Sequence, residues 1–525
     1  MLDVQHDQFL PADTIVLTNT IHTIDPQLPR ADAFAIAGGR FMYVGGKEGA
    51  LMLRGPKTEI IEFENATILP GIIDAHVHLP EMGQALHEAD LRGATSFDDA
   101  VRRTVEFAGK TADRWIIGAG WDQNLWAQKN FPAHDALSAA VPDRPVVLRR
   151  IDNHVLVLNQ VAMQLAGITN ATADPPGGRI VRDSSGAATG IFVDNALDLI
   201  YPFLPPASHE QLLQWTRTAC AAANRFGVTA VGEANTSSAM LAAFTTLAER
   251  AQLSLRIHTM LRDNADLLEE HFSGGPVHGA YDGRLSVRAV KMFADGALGS
   301  HGAALFEPYA DAPGNRGLEL TTEARIADVT RRALLHGFQV CVHAIGDRAN
   351  RLALDAYESA LETALPGDYR LRIEHAQVLS PQDVPRFETL GVIPSMQTSH
   401  RLSDVHWLES RLGPQRARDA FVWRSLLDTG AIVANGTDAP VEPIDPRRTF
   451  SAAITPDGMS RDEALRSMTI WPAFANFAEQ EIGSITPGKY ADFVVMDRDW
   501  LREPVEAIMQ TEVLATYVAG QQVHG

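Results

Sequence analysis

The sequence predicts an α/β protein: a (β/α)8 TIM-like barrel, with a small β-sandwich built from both termini and a subdomain inserted into the barrel. Three observations carry this prediction. Through the middle of the chain, short runs rich in Val and Ile alternate with segments that are apolar at helical spacing. The two ends read as β structure alone. One stretch between two barrel strands is too long for the units it must hold.

From the amino end, DTIVLTN, DAFAIAGG and RFMYVGG are strand-like, and Gly38-Gly39 fits a tight hairpin between two of them. At the far end, GSITPGKYADFVVMD sets a Pro-Gly turn before an apolar strand, and LATYVAGQQV follows. Residues 1–68 with 480–525 are expected to form the composite sandwich, and residues 69–479 the barrel. The barrel strands are read in ILPGIIDAHVH, VTAVGEA, LSLRIHTM, LSVRAVKMF, FQVCVHAI, YRLRIEHA, VIPSMQTS and AIVANGTD. Separators such as ARIADVTRRALLHG and RANRLALDAYESALETA are helical in pattern and end near Gly.

Spacing supports the barrel. His343 and His375 lie about one βα unit apart, and His375 and Asp438 about two, with GVIPSMQ supplying the strand between. His78 and Lys291 are separated by more than twice the roughly 90 residues that three units need. An insert at about 111–206 is expected, carrying WIIGAGWD, RPVVLRRIDNHVLVLN and DPPGGRIVRDSSGAATG.

Composition narrows the function. The apolar and charged fractions, 45% and 21%, are those of an ordinary globular protein. A formal net charge of -20 without a basic cluster excludes nucleic acid and anionic membrane surfaces as expected partners. Cys220 and Cys341 are the only cysteines, so neither a disulfide framework nor a thiolate metal cluster is implied. Cys341 reads as barrel filler. MLDVQHDQFLPADT lacks the basic start and apolar core of a signal peptide, and no apolar run approaches membrane-spanning length. A cytoplasmic location is expected.

Six residues carry the chemistry: His76, His78, Lys291, His343, His375 and Asp438, each at the end of a strand-like run. Imidazoles and carboxylates at strand ends are what a metal site needs at the mouth of a parallel barrel. His76 and His78, two apart on a strand, face the same side. His-x-His alone is a weak signal; four further candidates downstream make it strong. Lys291 is either paired with a local acid such as Asp295 or kept neutral long enough to react with CO₂, and its company favours the carbamate. His343 and His375 end consecutive strands, which fits a second metal. Asp438, in NGTDAP, is either a helix cap or a carboxylate that touches a metal and takes a proton from its water.

Together VKMFADGALGS, CVHAIGD, IEHAQ and NGTDAP resemble the amidohydrolase superfamily, in particular its YtcJ-like branch, which includes N-substituted formamide deformylases. The resemblance runs over essentially the whole chain. It implies two divalent metal ions, most often zinc: His76, His78 and Asp438 would hold one, His343 and His375 the other, and Lys291 as its carbamate (N6-carboxylysine) would bridge them. It also implies attack of a metal-bound hydroxide on an acyl carbon, with Asp438 as the catalytic proton shuttle. His154, in RRIDNHVLVLN, resembles a position near the substrate in this branch. The resemblance leaves a homo-oligomer open.

The expected reaction is hydrolysis of a C–N bond in an amide, formamide or N-acyl compound, a small molecule with an aromatic or apolar group. Trp121, Trp126 and Phe131, in GWDQNLWAQKNF, would line an apolar pocket or form the insert's own core; both readings stand. Arg149, Arg150, Arg316 and Arg348 are candidate carboxylate partners, Arg316 being carried forward as a substrate contact. A one-metal deaminase is the alternative, but it usually wants a glutamate two residues after the third histidine, where this chain has Ile345. A non-catalytic scaffold of the same fold is the second alternative; such proteins lose ligands, whereas this set is complete. No nucleotide motif is present.

Overall fold

A computed structural model describes residues 10–525. Residues 1–9, which contributed to the signal-peptide reading, lie outside the described residues. Eight parallel strands form the central sheet: β1 (Ile72–Val77), β2 (Val228–Thr236), β3 (Arg256–Arg262), β4 (Leu285–Phe293), β5 (Gln339–Ala344), β6 (Arg372–His375), β7 (Ile393–Met396) and β8 (Ala434–Asn435). They lie side by side in chain order. A parallel bridge between Val77 and Ala439, just past β8, brings the last strand back to the first. The protein therefore has a TIM-like barrel.

Burial on both faces explains the near-continuous apolar runs of these strands. Inside, the residues are small: Ala234, Met260, Ala289 and Cys341 form one cluster, and Ala75, Ile393 and Ala434 lie in another. Outside, Val231, Ile257, Val290, Val340 and Ile373 meet the covering helices in the largest core. The helices begin where side chains accept their free backbone N–H groups. Ser208 and Ser237 cap those before and after β2, Asn264 the one after β3, and Thr322 the one before β5.

The terminal strands join in one eight-stranded sheet, in which Thr67–Pro70 pairs antiparallel with Phe493–Met496. Gly38 and Gly39, at φ 55° and 75°, make the two-residue turn that pairs Ala37 with Arg40. Arg256 clamps this sheet to the start of β3: its Nε and Nη2 donate to Asp492 at 2.6 and 2.8 Å, and both residues are buried.

Between β1 and β2 the chain builds a third, six-stranded sheet. It starts at Ala89, upstream of the expected residue 111, because Ala89–Asp90 pairs with Ile116–Trp121. It ends with Ala188–Asp194. No helix among the described residues is long and apolar enough to cross a membrane, and both cysteines are free and buried.

Replacing Asp492 with Ala strands a buried guanidinium. We expect a loss of about 3–5 kcal/mol, read as a lowered urea midpoint; a midpoint equal to the wild type contradicts the clamp.

Candidate metal centre

All six predicted ligands converge at the carboxyl ends of the barrel strands. Strand alternation turns Asp74 and His76 to the same face of β1, and His78 follows as the cap of the next helix. Asp74 accepts from Thr437 through its backbone N–H at 3.0 Å and its hydroxyl at 2.6 Å. Asp438 N–H donates to the His76 carbonyl, and His78 N–H to that of Ala439, each at 2.8 Å. These bonds set Asp438 over the histidine pair. Its Oδ1 lies 3.4 Å from His76 Nε2 and 3.3 Å from His78 Nε2. The three residues offer ligand atoms within 4.8 Å of one another.

The remaining ligands follow along the sheet. Lys291 Nζ lies 3.3 Å from His76 Nε2. It is buried, and burial lowers its pKa. Asp295 does not pair with it: that carboxylate accepts the backbone N–H groups of Ala304, Ile345 and Gly346 at 2.8–3.0 Å. The His343 and His375 rings are 4.5 Å apart, and His375 lies 5.1 Å from His76. His375 and Asp438 both adopt left-handed backbone, at φ 74° and 57°. Such conformations cost about 1–3 kcal/mol and cluster at functional sites. At His375 the turn lets two successive residues, Glu374 and His375, both join the cluster.

The donor set fits divalent ions. His343 Nε2 and Asp438 Oδ1 are buried without a hydrogen-bond partner. His76 Nδ1 is held by Glu374 at 2.5 Å and His375 Nδ1 by Gln397 at 2.7 Å, which leaves each Nε2 toward the cluster. Such outer partners orient metal-ligating imidazoles. Burial, then the Lys291 charge, pushes His76 down to about 4, and burial lowers His343 and His375 strongly. All three are therefore neutral at pH 7, the form a ligand needs. Asp438 is charged: against burial, the His78, His76 and His375 imidazoles hold it well below the usual carboxylate range.

Several supporting residues escaped the sequence reading. Arg372 donates to Glu374 from Nε at 2.8 Å and Nη2 at 3.0 Å, so the carboxylate behind His76 stays ionised although burial opposes it. Alternation of Arg372 and Glu374 on a buried strand was the available signal. His400 stacks on His375 and places Nε2 3.9 Å from Asp438 Oδ2. Asp194, at the end of the third sheet, holds His154 Nδ1 at 2.7 Å. That contact sets the His154 ring 5.3 Å from His343.

The tryptophans are not brought to this cluster. Trp121 and Trp126 are buried and stack on each other at 5.8 Å within the third sheet's own core, with Phe131 against them. Their Nε1–H groups donate to the backbone of Leu148 and Ala94. The pocket alternative thus gives way to the core one. The arginines are committed within the protein: Arg149 to Glu88, Arg150 to Asp122 and Asp152, Arg348 to Glu319, and Arg316, exposed, to the Phe306 carbonyl.

A family model described as "Amidohydrolase family" matches residues 59–524. Protein LONG AFTER FAR-RED 3 of Arabidopsis thaliana is 33% identical over 98% of this chain and 92% of its own length. YtcJ of Bacillus subtilis is 31% identical over 96% of this chain and 98% of its own. N-substituted formamide deformylase of Arthrobacter pascens is 27% identical over 97% of both. Among solved structures, an uncharacterized metal-dependent hydrolase from Pyrococcus horikoshii superposes with a TM-score of 0.77 at 27% identity, covering 94% of this chain and 99% of its own.

Glu374→Gln removes the charge that orients His76. Metal affinity should fall about 10- to 100-fold while the circular dichroism spectrum is kept; wild-type affinity in a zinc titration contradicts the role.

Proposed function

Because the chain is a metal-dependent hydrolase of the Amidohydrolase family, we propose that it cleaves the C–N bond of an amide, formamide or N-acyl compound. The observation that carries this reading is the Asp438 carboxylate, charged, buried and without a hydrogen-bond partner on Oδ1, set 3.4 and 3.3 Å from the Nε2 atoms of His76 and His78. In this reading His76, His78 and Asp438 would hold one divalent ion, zinc by preference, and His343 and His375 would hold a second. Lys291 would add an anionic ligand as its carbamate: its neutral amine would form an N–C bond with CO₂ and release a proton. When bound, such ions polarise a carbonyl and bring the pKa of water toward roughly 7.

The chain's own residues do the rest. Asp438 takes the proton of the attacking water and returns it to the departing nitrogen, as a positioned base and acid does. His154, braced by Asp194, stands beside His343 and orients the acyl group. Phe293, half-buried and 5.3 Å from the His343 ring, supplies an apolar wall for the substrate. The name of the Arthrobacter relative supports a formyl or small acyl group on nitrogen. The deaminase alternative finds no support at position 345, where Ile345 packs among Leu298, Tyr309 and Val378.

Purified protein should carry about two divalent ions per chain and lose activity on chelation. N-benzylformamide and N-acyl anilines should release amine. Asp438→Asn should lower kcat about 10²- to 10⁴-fold, with metal content measured alongside. Lys291→Ala should lose at least one ion. Ammonia release from purines or pyrimidines by a one-metal protein would overturn the proposal.

A further inference from the structure

At the amino-terminal ends of the barrel strands, opposite the metal centre, a cavity of about 260 Å³ lies between the barrel floor and the sheet formed by the termini. β3 and β4 each send early residues to its wall, His258 and Ser286, whereas Lys291 stands toward the other end of β4. Asn476, Ala478 and Ile482 close it from the segment that leads into the terminal sheet. None of these residues touches the catalytic groups through a bond described above, except that Asn476 Oδ1 accepts from Arg372 Nη1 at 2.9 Å.

Arginines surround the cavity, and Glu481 lies in its wall. The guanidiniums of Arg40 and Arg256 lie over the Tyr490 ring, 3.8 and 3.9 Å from its centroid. Glu481 and Asp492 neutralise these two. Arg284 Nη1 and Arg288 Nε, on half-buried side chains nearby, have no hydrogen-bond partner. Their charge is felt around the cavity. Burial, then Arg372, His278 and Arg288, pushes His258 down to about 3. Burial and Arg288 lower His278, and burial and Arg256 lower Arg284. Guanidinium nitrogens without a hydrogen-bond partner favour an anion nearby.

Donors are available inside. Asn476 uses its oxygen on Arg372, which leaves its amide N–H groups free. Ser286 Oγ accepts from Gly279 N–H at 2.9 Å and keeps its own O–H to donate. His258 is 6% exposed, and its Nε2 has no hydrogen-bond partner. A neutral imidazole offers one N–H. Ala230, Ala478 and Ile482 make the opposite lining apolar.

We infer that this cavity is a second ligand site, built for a small organic acid whose carboxylate meets His258, Ser286 and Asn476 and whose apolar body lies against Ala230, Ala478 and Ile482. The inference does not rest on the proposed reaction, and either can fail without the other.

The test uses the metal-loaded full chain. Crystals soaked in 4-iodobenzoate should show anomalous iodine signal in the cavity at the barrel floor. Calorimetry should show saturable benzoate binding, abolished by Ala478→Trp, which fills the space. Binding should weaken about tenfold in His258→Leu, the value of one lost hydrogen bond. The neutral 4-iodobenzyl alcohol should leave the cavity empty. Should Ala478→Trp misfold, His258→Leu and the iodine position still decide. Iodine only at the barrel mouth, no benzoate binding, benzoate affinity unchanged in the folded variants, or equal binding of the alcohol would each overturn the inference.

Discussion

The seam between β1 and β8 is the constraint on which the rest depends. A parallel barrel has edges until its last strand meets its first. Here the joint is made by backbone bonds from Asp438 to His76 and from His78 to Ala439, and by Asp74 accepting from Thr437. Closure and assembly of the candidate metal centre are thus one event. The same few bonds that finish the barrel bring a carboxylate over two histidines encoded far earlier in the chain. Once they form, the remaining ligands need only point inward from strands already in register.

Behind the ligands stands a shell of buried polar groups. Glu374 fixes His76, Arg372 fixes Glu374, and Arg372 in turn reaches Ala75, Ser395 and Asn476. Each link satisfies a group that burial would otherwise penalise. The result is preorganisation: His76 and His375 are held neutral, each with Nδ1 committed and Nε2 available. Placing a charged Asp438 among them costs solvation, which bound cations would offset.

Much of this was legible because its signals are local. A barrel strand ends where an apolar run meets a polar residue, so the convergence of these six side chains could be read directly. The hairpin at Gly38-Gly39 follows from backbone conformations that glycine adopts without strain. What escaped was long-range or conformational. The left-handed turn at His375, which brings adjacent residues into one cluster, has no residue signature. Trp121 and Trp126 resembled pocket walls because composition does not say which face of an inserted layer is buried. The insert's first strand, Ala89–Asp90, is too short to declare itself.

The pairing of Thr67–Pro70 with Phe493–Met496 also has a temporal side. Roughly 420 residues of chain lie between these strands, which at about 5–20 residues per second means some 20–85 s of ribosomal synthesis. During that interval the early strand is made but its later neighbour is not, and β1 likewise waits for β8. The nascent polypeptide must therefore keep two adhesive edges unsatisfied until translation nears its end, which makes its birth, more than its mature state, the period of greatest exposure to aggregation.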